Sequence, residues 1–279
     1  MILVTGGTGF IGRDLVSKLS EVDDVRVLTR GIHTHAEAFP GSIEKYEDVL
    51  KACEDCDTVY HLAALGDHFA PWDAHYRSNV LGTKNVLDAC EELDVDKVVL
   101  TGSAASDVKY KTHYGATKKL AEEAAEQYFD TLNVSIIKPG YVYDDKKAKS
   151  FAKIRYVPLF PNSKMRIHFT YKPMLVKAFV NARESKKSGK YLVLDKQAVA
   201  LGELYAAIAP TKPWLPSSVL DLIRWPANIL SHVGADTYSY SKFISYLLQD
   251  RGFDSKPAAK ELKYTPVDTV RNFKRVLRN

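Results

Sequence analysis

Short apolar runs alternate with stretches of helical periodicity through the first 140 residues of the chain. Ile2-Leu3-Val4-Thr5, Val25-Arg26-Val27-Leu28-Thr29, Thr58-Val59-Tyr60-His61-Leu62, Lys97-Val98-Val99-Leu100-Thr101 and Val134-Ser135-Ile136-Ile137 each read as a strand. Their near-continuous apolarity is the pattern of strands buried on both faces, as in parallel sheets. Between them, Phe10, Ile11, Leu15, Val16 and Leu19 recur at helical spacing, and further helices are expected near 74–93 and 112–129. The stretch from Arg30 to Thr58 has room for a short strand and one helix, about 43–54. Strand and helix in alternation predict βαβ units, hence an α/β fold with a doubly wound parallel sheet. After Gly140 the alternation weakens and prolines gather at Pro158, Pro161, Pro173, Pro210, Pro213, Pro216 and Pro226. The expected division is a sheet domain from 1–141 plus 166–195, with Tyr191-Leu192-Val193-Leu194 as a returning strand, and a smaller C-terminal lobe from 142–165 plus 196–279.

Gly6, Gly9 and Gly12 are spaced three apart, directly after the first strand and at the opening of a helix. The first permits a sharp turn, the second lets the backbone approach a pyrophosphate, and the third allows close packing of helix on strand. The helix N-terminus then offers unpaired N–H groups and the positive end of its dipole to the phosphates. The sheet domain is therefore read as dinucleotide-binding. An acid at the end of the second strand would accept hydrogen bonds from the ribose 2′-OH of NAD, but the chain has Thr29-Arg30 there. Arginine suits the 2′-phosphate of NADP, with Arg13 as a second contact, so NADP is the expected cofactor and NAD the alternative.

Tyr114 and Lys118 lie four apart on an expected helix and share a face. A neighbouring ammonium favours the phenolate, so Tyr114 suits proton exchange with a substrate oxygen. Ser103, just past the strand ending at Thr101, is placed to hold the same oxygen. The ordered set GGTGFIG (6–12), HLAA (61–64), SNVLGTKNVLDAC (78–90), LTGSAAS (100–106) and YGATKKLAEE (114–123) resembles the extended short-chain dehydrogenase/reductase family, whose fold is of the Rossmann type. The resemblance covers Met1 to about Tyr143 and returns near the C-terminus. It implies a catalytic set of Ser103, Tyr114 and Lys118, with Asn79 supporting a proton relay and Lys118 also holding the nicotinamide ribose. It further implies cofactor contacts at Gly6, Gly9, Phe10, Ile11, Gly12, Arg13, Arg30, Leu62, Ala63, Ala64 and Pro139, and a homodimer formed through helices near 81–93 and 112–129. VRVLTR (25–30), HFAPWDAHYRSNVLGTKN (68–85) and FDSKPAAKELKYTP (253–266) are similar to the 3β-hydroxysteroid dehydrogenase and dihydroflavonol reductase branch. The chain departs from the wider family pattern at Gly41-Ser42, where an aspartate often follows the glycine. It departs again at Lys138-Pro139-Gly140-Tyr141, which lacks the amide of sugar-nucleotide enzymes, and at Lys172-Pro173-Met174, which replaces an Asp-Val pair.

Composition narrows the classes. The chain has 279 residues, 46% hydrophobic and 26% charged, ordinary values for a globular protein. No run is long and apolar enough for a spanning helix, and MILVTGGTGFIG enters a strand at once, so no signal peptide is expected. Cys53, Cys56 and Cys90 cannot all pair, and Cys53-Glu54-Asp55-Cys56 has no second pair at zinc spacing. A reduced, cytoplasmic setting and no metal site are expected, and His33 and His35 lack a third ligand. His61 reads as structural, whereas His68, Phe69, Trp72 and His75 either line the substrate mouth or pack at the surface. Net charge is +5, yet 138–190 holds 14 Lys/Arg against 3 Asp/Glu, which suggests an anionic ligand or surface. Pro216 to Val233 reads as a helix, either core or interfacial, and the interfacial reading implies peripheral membrane contact. No nucleic-acid recognition motif occurs. The expected activity is hydride transfer between NADP and a ketone or secondary alcohol, lipophilic or anionic. The alternatives are a nucleotide-sugar epimerase or dehydratase that retains its cofactor, and a non-catalytic NAD(P)-binding sensor or assembly protein.

Overall fold

The computed structural model describes residues 1–31, 36–151, 153, 160–161, 165–208, 214–215, 249–253 and 258–278. Seven strands form one sheet: β1 (Ile2–Thr5), β2 (Val25–Thr29), β3 (Glu37–Pro40), β4 (Thr58–His61), β5 (Lys97–Thr101), β6 (Val134–Pro139) and, later in the chain, β11 (Gly189–Val193). Their order is β11-β6-β5-β4-β1-β2-β3 and every pairing is parallel. Strand order reverses between β1 and β4, the switch point where doubly wound sheets bind ligands beyond the carboxyl ends of the strands.

The helices cover both faces, which explains the unbroken apolar runs. On one face α1 (Gly12–Leu19) packs beside α7 (Lys172–Ala182), and Leu15, Val16 and Leu19 are buried against β1 and β2. Each such side chain contributes about 1.5–3 kcal/mol on burial. On the other face α2 (Tyr46–Cys53), α4 (Gly82–Glu92) and α5 (His113–Glu126) cover Leu3, Val59, Val98, Leu100 and Ile136. Cys53, Cys56 and Cys90 are free thiols within this second cluster.

The expected helix over 74–93 is interrupted. A short α3 (Trp72–His75) runs into a π-helical turn at Tyr76–Leu81 before α4 begins. Asn79 sits in that turn, accepts the Leu65 N–H at 2.7 Å and donates to the Leu65 carbonyl at 3.1 Å. Its side chain thus stands in for a neighbouring strand and pins the chain leaving β4; π-helical turns are often found at such functional places.

Beyond β6, β7 (Tyr141–Tyr143) leads to α6 (Asp145–Phe151) and a two-residue β8 (Phe160–Pro161). After β9 (Arg166–Ile167), β10 (Phe169–Tyr171) pairs with β7, then come β12 (Val199–Ala200), α8 (Leu201–Ile208), β13 (Trp214–Leu215) and the last helix α9 (Thr269–Arg278). Tyr143, Phe169, Val199, Leu204, Phe273 and Val276 form a third cluster. Its polar centre is Asp195, which accepts from Thr269 Oγ1 at 2.7 Å, Tyr171 N at 3.0 Å and Tyr143 Oη at 3.1 Å. The proposed helix over Pro216–Val233 and the histidines His33 and His35 lie outside the described residues. Among the described residues no helix is long and apolar enough to cross a membrane.

The basic stretch 138–190 is less exposed in charge than its composition suggests. Lys138 pairs with Glu122 and Asp107, Lys172 with Asp14 and Asp144, Arg183 with Asp23 and Asp57, Lys190 with Glu126, and Arg166 with Asp250. Most of these acids come from outside the stretch. Counting charges along the chain missed this compensation, because ion pairs form in space between elements far apart in sequence.

Candidate active site

The turn after β1 is shaped around Gly6, whose φ of +72° suits glycine. A Cβ there would stand 2.5 Å from the Ala63 nitrogen, and one at Gly12 would stand 2.2 Å from the Gly6 carbonyl oxygen. The loop therefore lies directly against the chain leaving β4, and α1 starts with its N–H groups beside it. Gly6, Gly9, Arg30, Leu62, Ala63 and Ala64 line one cavity of about 280 Å³, together with Ser42 and Ser78. The remaining expected cofactor contacts stand apart from it. Ile11 packs half-buried on the core, and Arg13 donates from Nε to the Thr8 carbonyl at 2.8 Å. Pro139 ends β6, and Phe10 is 38% exposed between two lysines, with Lys147 Nζ 3.8 Å and Lys172 Nζ 4.3 Å from its ring centre. At the Gly41-Ser42 departure, Ser42 N–H donates to Asp48 at 2.9 Å, so an acid from α2 braces the loop.

Ser103 and Tyr114 line a second cavity of about 240 Å³, beside Gly66, His68, Gly140 and His168. A single residue, Leu65, separates the walls of the two cavities along the chain leaving β4: Ala64 lines the first and Gly66 the second. The sequence brings Ser103 to Tyr114 by a local device. After β5 the chain makes one 3-10 turn, Ala104–Ser106, capped by the Ser103 hydroxyl, which accepts from Ala105 N at 3.1 Å. The first turn of α5, capped by Thr112, then lies on that turn, because a Cβ on Gly115 would be only 2.7 Å from the Ala105 carbonyl oxygen. Gly115→Ala should push α5 away from Ser103 and lower turnover about tenfold or more, with the fold kept by circular dichroism.

Lys118, one turn after Tyr114 on α5, is buried and donates to the Thr101 carbonyl. Burial pulls its pKa down to about 8, while Glu122 favours the cation. Glu122, one further turn along α5, is buried and was not singled out by the sequence reading. It accepts from Ser103 N at 2.9 Å and Ser106 Oγ at 2.8 Å, and pairs with Lys138 at 2.8 Å. The signal was present as the i, i+4, i+8 series Tyr114, Lys118, Glu122, which puts all three on one face. Lys138 gave no local signal, because it reaches Glu122 from β6.

Asn79 also reaches the helix, donating from Nδ2 to Thr117 Oγ1 at 3.1 Å. Its carbonyl accepts from Thr83 Oγ1 at 2.7 Å. His61 is structural, as expected: Nδ1 meets Thr5 Oγ1 at 2.7 Å, Nε2 meets Thr83 Oγ1 at 3.1 Å, and burial pushes its pKa down to about 3. Of the four residues expected near the substrate mouth, His68 lines the cavity and its ring meets Tyr114 edge-on, 5.4 Å between centres. His75 is buried behind, hydrogen-bonded to the Asp67 carbonyl, while Phe69 and Trp72 are exposed.

The family model for the NAD dependent epimerase/dehydratase family matches residues 2–143. The chain belongs to that family. Among curated relatives of this epimerase/dehydratase family chain, sterol-4-alpha-carboxylate 3-dehydrogenase, decarboxylating, from Bos taurus is 26% identical, covering 65% of this chain and 59% of that protein. A putative dihydroflavonol 4-reductase from Synechocystis sp. is 34% identical, covering 37% of this chain and 32% of that protein. The chain spans between about a third and three fifths of the length of the first curated relatives it matches, at 47%, 32% and 59% of theirs. The structure of UDP-glucose 4-epimerase with UDP-glucose from Thermotoga maritima is similar in fold, with a TM-score of 0.76 at 17% identity, covering 99% of this chain and 97% of that one. The two curated relatives agree with the similarity to the steroid dehydrogenase and dihydroflavonol reductase branch.

Proposed function

We propose that the protein is an NADP-dependent oxidoreductase of a ketone or secondary alcohol. One observation carries the reading: Ser103 and Tyr114 share a cavity wall, Lys118 lies buried one turn further along α5, and the glycine-lined cavity adjoins along the chain leaving β4. The glycine loop fits a dinucleotide: Gly6 packs directly on Ala63 and Gly12 on the Gly6 carbonyl, and Gly6 and Gly9 line the open cavity with no side chain to keep a pyrophosphate from the backbone. Gly6, Gly9 and the start of α1 would hold the pyrophosphate, Arg30 the 2′-phosphate and Lys118 the nicotinamide ribose. A bound nicotinamide supplies the hydride to the carbonyl carbon, or accepts it in the reverse direction.

The chain's own residues handle the oxygen. Tyr114 donates its phenolic proton to the substrate oxygen as negative charge develops there. Ser103 donates a hydrogen bond to the same oxygen. Lys118, still an ammonium at pH 7, stabilises the phenolate that Tyr114 becomes. Glu122 fixes the Ser103 backbone, and Asn79 fixes both the chain leaving β4 and, through Thr117, the helix that carries Tyr114.

Arg30 is exposed at the end of β2 on the wall of the glycine-lined cavity. The acid on that wall, Glu44, faces Arg77 at 3.7 Å. Arg30→Glu is expected to raise the NADPH dissociation constant at least about tenfold and to leave that of NADH within a few-fold. Fluorescence titration of both cofactors with both proteins checks this. Tighter binding of NADH by the unmodified protein would overturn the NADP assignment alone. A retained cofactor without net redox would favour an epimerase, and no binding of either cofactor would favour a non-enzymatic role.

We also infer a homodimer built on the π-helical turn, α4 and α5. Leu81 (41% exposed) and Leu120 (37% exposed) present apolar side chains on these elements. Sedimentation is expected to give twice the chain mass, and Leu120→Lys to shift it to the monomer.

A further inference from the structure

The apolar side of the last helix, α9, is already occupied. Phe273 and Val276 are buried in the third cluster with Tyr143 and Phe169. The exposed positions of the helix are Arg271, Lys274, Arg275 and Arg278, cations without exception. They follow one another at i, i+3, i+4 and i+7, a row of about 10 Å along one side of the helix. Among the described residues they alone line a surface cavity of about 290 Å³. α9 packs beside α6, which adds exposed Lys146 and Lys149. Acids do not compensate this face. Asp145 meets Arg275 at 3.2 Å. Asp268 precedes α9 and accepts the Arg271 backbone N–H at 2.8 Å. Glu203, the acid of α8, which also packs on α9, pairs with none of the six cations. Among the described residues Arg271, Lys274, Arg278, Lys146 and Lys149 have no acidic partner.

Helix stability does not account for the row. Arg275 and Arg278, in the last turn, suit the negative end of the helix dipole. Arg271 stands in the first turn, where a cation is unfavourable, and no acid shares that turn. Arg271 and Arg275, and likewise Lys274 and Arg278, are like charges four apart, which repel. Burial of Phe273 and Val276 holds the helix in place against this. Charges that weaken their own helix and surround an open cavity call for an anion from outside the chain. We propose that α9 and α6 form a docking face for the anionic headgroups of a membrane surface. Anionic lipids diffuse in the plane of the bilayer and gather beneath fixed cations, so such a face needs charge rather than an exact geometry. No exposed aromatic ring or amide accompanies the cations on either helix, so the stacking and base-edge contacts that a nucleic acid uses are missing there. With its apolar side taken, α9 cannot enter the bilayer, and the contact is electrostatic and reversed by salt. Lys147 of α6 lines the cavity of Ser103 and Tyr114 with Val142, Ile167 and Phe253, so the docked helix is also a wall of that cavity. The contact itself does not depend on the oxidoreductase reading.

Co-sedimentation of the full chain with phosphatidylcholine vesicles, with and without about 30 mol% phosphatidylserine, tests the face. Binding should require phosphatidylserine and fall at least about tenfold between about 50 mM and about 500 mM sodium chloride. The triple variant Arg271→Gln/Lys274→Gln/Arg278→Gln should weaken it about tenfold or more at the lower salt, and Lys146→Gln/Lys149→Gln by a smaller factor. Lys51→Gln/Lys186→Gln/Lys187→Gln removes three exposed charges from other parts of the chain and should leave binding within about twofold. Equal binding to both vesicle types, or an equal loss in this control variant, would overturn the proposal. So would tighter binding of a short single-stranded RNA than of the anionic vesicles at about 150 mM salt, which would make the face a nucleic-acid site. The three substitutions in α9 also relieve like-charge repulsion, so the melting temperature should hold or rise. A fall of several degrees would mean that the row serves the fold, and would overturn the docking role.

Discussion

Tyr114→Phe is expected to lower turnover by about a thousandfold while NADPH affinity stays within a few-fold. The change removes one hydroxyl from the wall of the substrate cavity and keeps the ring that meets His68 edge-on. Packing around α5 is therefore retained, and circular dichroism and the melting temperature should hardly change. What disappears is the proton donor for the substrate oxygen. Water can replace it poorly, and Ser103 still donates a hydrogen bond, so a residue of activity persists rather than none. Steady-state kinetics beside a cofactor titration separates the cases. Turnover retained within tenfold would mean that another group moves the proton.

Lys118→Met should inactivate the protein by about a hundredfold or more and stabilise it when no cofactor is bound. The two effects have one cause. The ammonium is fully buried, and burial takes its pKa from 10.5 to about 8. That shift corresponds to about 3 kcal/mol of native stability given up at neutral pH, since one pKa unit is about 1.4 kcal/mol. Methionine fills the space without the charge. Loss of the hydrogen bond to the Thr101 carbonyl returns part of the gain, so a rise of about 2–5 °C in melting temperature is expected. The pH dependence has a definite sign. Between about 8 and 10.5 the unfolded chain keeps the Lys118 proton and the native protein has lost it, so raising the pH favours the native lysine form. The advantage of the methionine variant is therefore full at pH 7 and fades across that window. Denaturant unfolding of both proteins at pH 7 and pH 10 checks it. A variant less stable at pH 7, or an advantage that grows with pH, would contradict the account.

Much of the binding domain could be read along the chain because its determinants are local. A strand covered on both faces needs an apolar run at its centre, and β1, β4, β5 and β6 carry Ile2–Val4, Val59-Tyr60, Val98–Leu100 and Ile136-Ile137. The glycine loop is legible because few residues tolerate its turn and close approach. Tyr114 and Lys118 are legible because helical spacing alone puts them on one face. What escaped the sequence reading depends on distant elements meeting. The π-helical turn at Tyr76–Leu81 follows from Asn79 reaching back to Leu65, and no propensity announces that. Glu122 has its meaning only once Lys138 arrives from the next strand. The second cavity brings Lys147 and Arg251, more than a hundred residues apart in the chain, into one lining.

The ion pairs of the basic stretch also have a direction in time. Among the described residues, Asp14, Asp23, Asp57, Asp107, Glu122, Glu126 and Asp144 precede the cations they meet, and only Asp250 follows its partner. On a ribosome, which releases the N-terminal half first, the acids are in place before most of the lysines and arginines emerge. The nascent chain thus has acids already made and ready to pair when Lys138, Lys172, Arg183 and Lys190 arrive. A circular permutant that begins at residue 138 would reverse the order and expose the cations first, to nucleic acid and every other polyanion in the cell.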